Sequence, residues 1–481
     1  MFMQTKLTGR SAELRELRSY FDSEKSEFIA VYGRRRVGKT FLIRAAAKDN
    51  FAFFVTGVYN ATKNEQLTNF AIAMTHYSGS GCLEIPENWL LAFYRLSRYL
   101  ESQPEGVKIV FIDELPWMDS AKSGFVAALE NFWNSWASLR NDIKLVVCGS
   151  ATSWIINKLI RNKGGLHNRL THHLVIEPFC LRECEEYFSA FGFTYTRSQI
   201  AECYMATGGI PYYLSLMDRS MSLAQNLDRL FFSRNAALKD EFNDLYKALF
   251  KNASPHIAVV AALAGKGKGL TRLEIIRITG LTDNGALSLV LEELEQCGFI
   301  RRYLPFSAEK RQRKNGILYQ LVDFYTLFYY RFIRNNQYQD EHYWTSSLNS
   351  PTYRTWSGLS FEMLCLTHLN QIKKALGISG IQANACSWRS SSVENAAQID
   401  LLIDRRDDTI NLCEMKYSKG PFIIDKEYSA KLQNKLDAFT TETSTRKSLM
   451  LTMVTTCGLK PNSYSGIVQK ELVLDDLFTE T

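Results

Sequence analysis

The segment Gly33-Arg34-Arg35-Arg36-Val37-Gly38-Lys39-Thr40 satisfies G-x-x-x-x-G-K-[ST]. This spacing is suited to holding phosphate. Two glycines let the backbone come close, main-chain N–H groups wrap an anion at a helix N-terminus, and the lysine reaches the outer phosphates. The Thr40 hydroxyl is expected on Mg²⁺, and Gly33, Arg34, Arg35, Arg36, Val37, Gly38, Lys39, Thr40 and Phe41 are expected to line ATP. Downstream, Lys108 to Glu114 reads KIVFIDE, an apolar run ending in two carboxylates. Asp113 is expected to fix Mg²⁺ through water, and Glu114 to polarise the attacking water. The next apolar run, KLVVCGS, ends in Ser150, which either senses the γ-phosphate or caps the helix after it. Arg169, in GGLHNRLT, is either a cationic finger for the transition state, acting in cis or on a neighbouring subunit, or a surface arginine before a strand.

Such a loop works only between a strand and a helix, and the flanking sequence supplies both. FIAVYG (28–33) precedes the loop and KTFLIRAAAK (39–48) follows it. FAFFVTG (51–57), KIVFID (108–113), KLVVCGS (144–150) and a last run within THHLVIEPF (171–179) alternate with helical stretches around 63–77 and 87–101. Short continuous apolar strands separated by helices predict a parallel sheet covered on both faces, an α/β domain. From Leu181 to about Lys251 the strand signals stop and helices dominate.

The elements LTGRSAEL, GRRRVGKT, VFIDELPWM, VVCGSATSWI and GGIPYYL, in this order, resemble the prokaryotic AAA-type ATPases of the STAND-related "archaeal ATPase" family, which also occurs in bacteria. The resemblance covers about residues 5–230. It implies that Gly9, Arg10 and Glu13 lie before the nucleotide core, and that Gly208, Gly209 and Pro211 lie in a helical lid near the nucleotide. Gly9, Arg10, Gly209 and Pro211 thus join the expected nucleotide-binding set. No arginine occupies GGIPYYL, which departs from a lid carrying the usual sensor arginine.

Beyond the lid, PHIAVVAALA, TRLEIIRITG and ALSLVLEELEQCG precede two strand-like runs, FIRRYLPF and ILYQLVD, that flank SAEKRQRKNG. Helix, turn, helix and then a two-stranded wing is the winged-helix order. Residues 251–320 hold eleven Lys or Arg against six Asp or Glu, so most of the chain's net charge of +7 falls here. Arg301, Arg302, Lys310, Arg311, Arg313 and Lys314 are placed for nonspecific phosphate contacts. Glu292, Glu293 and Glu295 on the expected recognition helix oppose DNA.

At the C-terminal end, QIDLLIDR (398–405) carries Asp400 and TINLCEMKYS (409–418) carries Glu414 and Lys416. Glu414 and Lys416 are two apart on one strand and share a face. Two carboxylates for a divalent ion with a lysine to orient water form a phosphodiesterase arrangement, and Mg²⁺ or Mn²⁺ is the expected ion. The segment resembles the PD-(D/E)xK nuclease fold, through Trp356, Gly358, Phe361 and Glu362 at its first helix and then Asp400, Glu414 and Lys416. The resemblance makes Glu362 a further metal ligand, and Gln433 on the following helix is expected to point inward.

The expected organisation is therefore an AAA-type P-loop core over 1–180, a helical lid over 181–250, a winged helix over 251–335 and a nuclease-like α/β domain over 353–481. The 481-residue length agrees, at roughly 100 to 200 residues per domain. The strongest apolar run, Ile257 to Ala264, falls far below the ~18 to 20 residues of a membrane span. The N-terminus becomes charged before a signal core forms, so a soluble cytoplasmic protein is expected. The ten scattered cysteines read as reduced core thiols. Expected partners are ATP, DNA or RNA through the winged helix and C-terminal domain, and further copies of the chain.

Overall fold

The computed structural model describes residues 7–161, 168–267, 269–303, 306, 317–390 and 397–480. The chain divides into two compact units, Met1–Pro178 and Phe179–Thr481.

The first unit runs α1 (Ser11–Phe21), β1 (Glu27–Tyr32), α2 (Lys39–Ala47), β2 (Phe53–Thr56), α3 (Lys63–Ser78), α4 (Trp89–Ser102), β3 (Lys108–Asp113), α5 (Leu115–Met118), α6 (Phe125–Ser135), β4 (Ile143–Gly149), α7 (Thr152–Ile155) and β5 (His172–Val175). Its five strands are all parallel, in the order β2-β3-β4-β1-β5. The central β1 and β4 are buried along their whole length, which is why Phe28–Val31 and Leu145–Cys148 read as unbroken apolar runs. Trp89, Phe93 and Leu96 of α4 and Phe125 and Leu129 of α6 pack on Ala30, Val110, Ile112, Leu145 and Val147. Burial of this kind, about 1.5 to 3 kcal/mol per large apolar side chain, fixes the strands whose carboxyl ends carry the motif residues. Helix starts are set locally: Thr62 and Glu65 form a reciprocal capping box at α3, and Asn88 accepts the Leu91 amide at α4.

The second unit opens with α8 (Leu181–Ala190), α9 (Arg197–Thr207), α10 (Pro211–Ser215), α11 (Leu223–Phe231) and α12 (Glu241–Leu249). Capping boxes at Thr196/Gln199 and Ser222/Gln225 start α9 and α11. Next come α13 (Ser254–Ala264), β6 (Leu270–Thr271), α14 (Arg272–Thr279), α15 (Gly285–Gln296), β7 (Ile300–Tyr303) and β8 (Leu318–Leu321), with the strands in an antiparallel sheet of order β6-β8-β7. Then α16 (Phe324–Phe328) and α17 (Tyr343–Ser347) lead to α18 (Pro351–Thr367), α19 (Leu369–Ala375), β9 (Ala383–Arg389), β10 (Gln398–Arg405), β11 (Thr409–Lys416), α20 (Lys426–Thr443), β12 (Ser448–Thr455) and β13 (Lys470–Val473). The last sheet has the order β13-β12-β11-β10-β9. Strands β9, β10 and β11 form an antiparallel meander, and β12 and β13 run parallel to β11.

Three differences from the sequence reading have physical causes. The first helix of the C-terminal segment is in fact two helices broken at His368, and the first begins at Pro351 behind a Ser350 cap, so the expected boundary at 353 falls inside α18. Strand β9 was not expected, because ANACSWR carries little apolar alternation and sits at the sheet edge, half exposed. Trp356, one of the residues that carry the resemblance, is buried and packs with Phe328, Phe332 and Trp344 at ring-centroid distances of 5.3 to 5.7 Å. All ten cysteines are free thiols, but Cys82 and Cys457 are exposed and so are not core residues. Among the described residues no helix is long and apolar enough to cross a membrane.

Candidate functional site

Because the strands of the first unit are parallel, their carboxyl ends share one edge of the sheet. β3, β4 and β1 are neighbours, so Asp113 and Glu114, Ser150, and the loop 33–40 lie side by side there. The loop is built by unusual backbone. Gly33 has φ +144°, and a Cβ added there would meet the Ile176 carbonyl oxygen at 2.1 Å. Gly38 has φ +89° and caps α2, and an added Cβ meets nothing within 4 Å. That open space over a helix N-terminus is where phosphate oxygens fit. Arg36 is also left-handed, with φ 70°.

Lys39 is buried, and its Nζ donates to the carbonyls of Gly33 at 2.9 Å and Arg34 at 2.8 Å. The ammonium therefore spans the mouth of the loop. Thr40 Oγ1 donates to Asp113 Oδ2 at 2.9 Å, and the Glu114 amide donates to Asp113 Oδ1 at 2.9 Å. A hydroxyl and a carboxylate in contact, both hard oxygen donors, fit Mg²⁺. Glu114 is held in a left-handed conformation, φ 45°, and its Oε2 accepts from both the amide and the hydroxyl of Ser150, at 3.1 and 3.0 Å. The residue before α7 is Ala151, with no side-chain cap, so Ser150 does not cap that helix.

Arg10, buried at the start of α1, pairs with Glu13 at 3.1 Å and donates to the carbonyls of Val37 and Glu177. The resemblance gave Arg10 to the nucleotide set. In the fold it ties the phosphate loop to the chain leaving β5. Gly9, with φ +67°, forms the turn before it. Arg35, Arg36 and Phe41 are half-buried around the loop, while Arg34 and Val37 are buried.

Residues 7–217 match a family described as an ATPase domain predominantly from Archaea. The match takes in the phosphate loop and the strand ends beside it. It spans less than half of the 481 residues. Over 329 residues the chain is 26% identical to an uncharacterised protein of Methanocaldococcus jannaschii, covering 68% of this chain and 69% of that one. Among solved structures, the Walker-type ATPase of Pyrococcus abyssi aligns at 17% identity and a TM-score of 0.47, over 68% of this chain and 96% of its own. The ORC2 protein of Aeropyrum pernix aligns at 14% identity and a TM-score of 0.41, over 69% and 95%.

Within the first unit, Arg169 is not brought to the phosphate loop. It is exposed and lies two residues before Thr171, whose amide bonds the Phe28 carbonyl near the start of β1. At about 3.3 Å per residue, the loop after β1 lies roughly 16 Å farther along the strand. A finger acting in cis is therefore corrected to an exposed arginine on the opposite edge of the sheet. Gly209 and Pro211 belong to the second unit. A Cβ on Gly209 would meet the Phe179 carbonyl at 2.4 Å, and Pro211 is the first residue of α10.

The second unit assembles the other predicted constellation. The register that aligns Leu401 with Cys413 sets Asp400 opposite Glu414, on one face of the sheet. Glu362 of α18, Asp400, Glu414 and Lys416 line one cavity of about 790 Å³ together with Arg389, Lys431 and Lys435. Glu414 is buried. Burial works to raise its pKa, but the Lys435 and Lys416 ammoniums, with a Tyr428 hydrogen bond, outweigh that and hold it below the ordinary range. Among the described residues, no group of three or more His, Cys, Asp or Glu is arranged to hold a metal ion. Asp400 and Glu414 have the hard-donor chemistry a divalent ion takes. However, Asp400 Oδ1 accepts from Gln398 at 2.6 Å, and both Glu414 oxygens already have protein partners.

Two expectations near this cavity are corrected. Gln433 is exposed and bonds Asp437 at 2.8 Å; Ala430, Asn434 and Lys435 form the inward face of α20 instead. Arg301 is not a free phosphate contact, since it bonds Gln320 Oε1 at 2.9 and 2.6 Å and lies 5.0 Å from the Tyr303 ring. Arg302 pairs with Glu295 at 3.2 Å, and Glu293 bonds His256 at 2.8 Å, so these acids are engaged within their own unit. Lys310, Arg311, Arg313 and Lys314 lie outside the described residues. Sequence reasoning missed Lys435 and Arg389. Lys435 follows Tyr428 by seven residues, so a helical-face count on α20 was the available signal, whereas Arg389 sits on the unexpected strand β9.

Proposed function

We propose that the protein is a Mg²⁺-dependent ATP phosphohydrolase whose nucleotide cycle governs a nuclease-like C-terminal domain acting on nucleic acid. The observation that carries the ATPase half is the meeting of Lys39, Thr40, Asp113, Glu114 and Ser150 at one edge of one sheet. In this reading Lys39 exchanges the Gly33 and Arg34 carbonyls for the outer phosphates, and the loop amides bind phosphate oxygens. Thr40 and Asp113 hold Mg²⁺, which supplies charge neutralisation on the phosphates. Glu114, oriented by Ser150, takes the proton of the attacking water.

The C-terminal half is supported by topology. Helix, three-stranded antiparallel meander, helix and parallel strand is the order of α18–α19, β9–β10–β11, α20 and β12, with Asp400 and Glu414 on adjacent strands. The order α13, β6, α14, α15, β7, β8 with its antiparallel sheet supports a winged helix. One observation favours a second reading, in which the C-terminal domain binds a partner without cutting: Glu414 is already neutralised by two lysines.

The test incubates wild type, Lys39→Ala, Asp400→Ala and Lys416→Ala with ATP, Mg²⁺ or Mn²⁺, and a panel of DNA and RNA. Loss of phosphate release in Lys39→Ala, and loss of cleaved ends in both C-terminal variants, is the expected result. ATP turnover that persists in Lys39→Ala sinks the first half. Nucleic acid bound but never cut by wild type selects the binding-only reading.

A further inference from the structure

Both oxygens of the Glu414 carboxylate are occupied from within the protein. Oε1 accepts from the Tyr428 hydroxyl at 2.8 Å and lies 3.1 Å from Lys416 Nζ; Oε2 accepts from Lys435 Nζ at 2.6 Å. Tyr428 and Lys435 are seven residues apart on α20 and so face the same way, toward β11. The charged groups lining the cavity are balanced: Glu362, Asp400, Glu414 and Glu427 against Arg389, Lys416, Lys431 and Lys435.

Two consequences follow from elementary electrostatics. A divalent cation approaching Glu414 competes directly with the Lys435 ammonium, because a buried carboxylate gives up one cation only for another. An ammonium so displaced keeps its charge at the rim of an open cavity, where a phosphate oxygen is the natural new partner. We propose that Lys435 is the resident cation of this site, bound to Glu414 until a divalent metal ion replaces it there, and thereafter a contact for the phosphate backbone of a nucleic acid. Metal and nucleic acid then bind with positive coupling, since each removes what opposes the other.

The inference rests on the nuclease-like reading of residues 353–481. It makes a prediction of opposite signs, which a merely structural lysine does not. Removing the competitor tightens metal binding, and removing the phosphate contact weakens nucleic-acid binding. The experiment uses the full chain without nucleotide, as wild type, Lys435→Met, Lys435→Arg and Asp400→Asn. Mn²⁺ binding is measured by isothermal titration, and binding of fluorescein-labelled duplex DNA by anisotropy in Ca²⁺ across a salt series.

The expected result is Mn²⁺ binding about three- to tenfold tighter in Lys435→Met, the size of one nearby like charge removed. DNA binding is weaker, with a salt slope smaller by about one. Lys435→Arg returns both toward wild type. Mn²⁺ binding unchanged or weaker in a Lys435→Met protein that melts like wild type overturns the proposal, as does an unchanged salt slope. Wild type that binds no Mn²⁺ sensitive to Asp400→Asn overturns the underlying metal-site reading, and the proposal with it.

Discussion

A single oxygen of Glu114, Oε2, receives two hydrogen bonds from Ser150, one from the amide at 3.1 Å and one from the hydroxyl at 3.0 Å. The two residues come from different strands, at the ends of β3 and β4, so the sheet itself sets the direction of the carboxylate. Substituting the hydroxyl leaves the amide bond in place. Ser150→Ala is therefore expected to lower kcat about tenfold with little change in KM for ATP, as loss of an orienting contact does. Glu114→Gln removes the proton acceptor and is expected to lower kcat by ~10² or more while ATP stays bound. Steady-state phosphate release and retention of labelled ATP on a filter read the two apart. A Ser150→Ala variant altered only in KM would place Ser150 on the substrate rather than on Glu114.

Lys39 and Arg169 are both cations, but only one of them is at the loop. The buried Lys39 ammonium bridges the Gly33 and Arg34 carbonyls, whereas Arg169 is exposed at the far edge of the sheet. Lys39→Ala is expected to abolish ATP turnover and weaken nucleotide binding by ~10² or more, a loss of charge-assisted contacts to phosphate. Arg169→Ala is expected to leave kcat and KM within about twofold in dilute protein. If the Arg169 variant loses activity that wild type regains as protein concentration rises, a neighbouring subunit uses this arginine.

The two loop glycines should fail for different reasons. At Gly33 a methyl group meets the Ile176 carbonyl at 2.1 Å, backbone against backbone, and the conformation has φ +144°. Gly33→Ala is expected to destabilise the domain by about 3 kcal/mol or more, read as a lower urea midpoint. At Gly38 there is space, so Gly38→Ala carries mainly the left-handed backbone cost, about 1 to 2 kcal/mol. Its methyl group, however, enters the room left for phosphate. Nucleotide affinity should fall in Gly38→Ala even where the protein remains folded, and equal loss of stability in the two variants would contradict this division.

Much of the first unit was legible because its signals are local. A buried parallel strand reads as an apolar run, and a phosphate loop must spell out its glycines, lysine and threonine in eight consecutive residues. Asp113 ends such a strand and Glu114 and Ser150 directly follow one, which is why the sequence alone singles them out. What stayed hidden depends on contacts distant in sequence. A helical-face count pairs Lys435 with Tyr428, but only the packing of α20 on β11 brings Lys435 to Glu414, 21 residues earlier. Arg301 reads as a solvent-facing wing cation until Gln320 and Tyr303 are seen around it. Arg169 fits a finger by sequence order, and only the parallel pairing of β5 with β1 puts it at the wrong end.

His368 breaks the helix between α18 and α19 and links it to α8. Its Nδ1 bonds the Leu364 carbonyl at 2.9 Å, and its Nε2 lies 3.0 Å from the Leu181 amide. An amide can only donate, so Nε2 is the accepting nitrogen and the ring is neutral with its proton on Nδ1. Burial pushes the imidazole down to about 4, against an ordinary 6.5. The unfolded chain therefore binds this proton first as pH falls. The stabilisation is complete above about pH 6.5 and is lost progressively toward pH 4, below which this group adds no further loss. The shift corresponds to something on the order of 3 kcal/mol. His368→Gln should be less stable than wild type at pH 7.5, because a core contact is altered, yet the gap should narrow steadily between pH 6.5 and pH 4.5 as wild type alone takes the cost. Urea unfolding of both proteins across that range checks it, and parallel stability curves would show that Nε2 is not held unprotonated by the Leu181 amide.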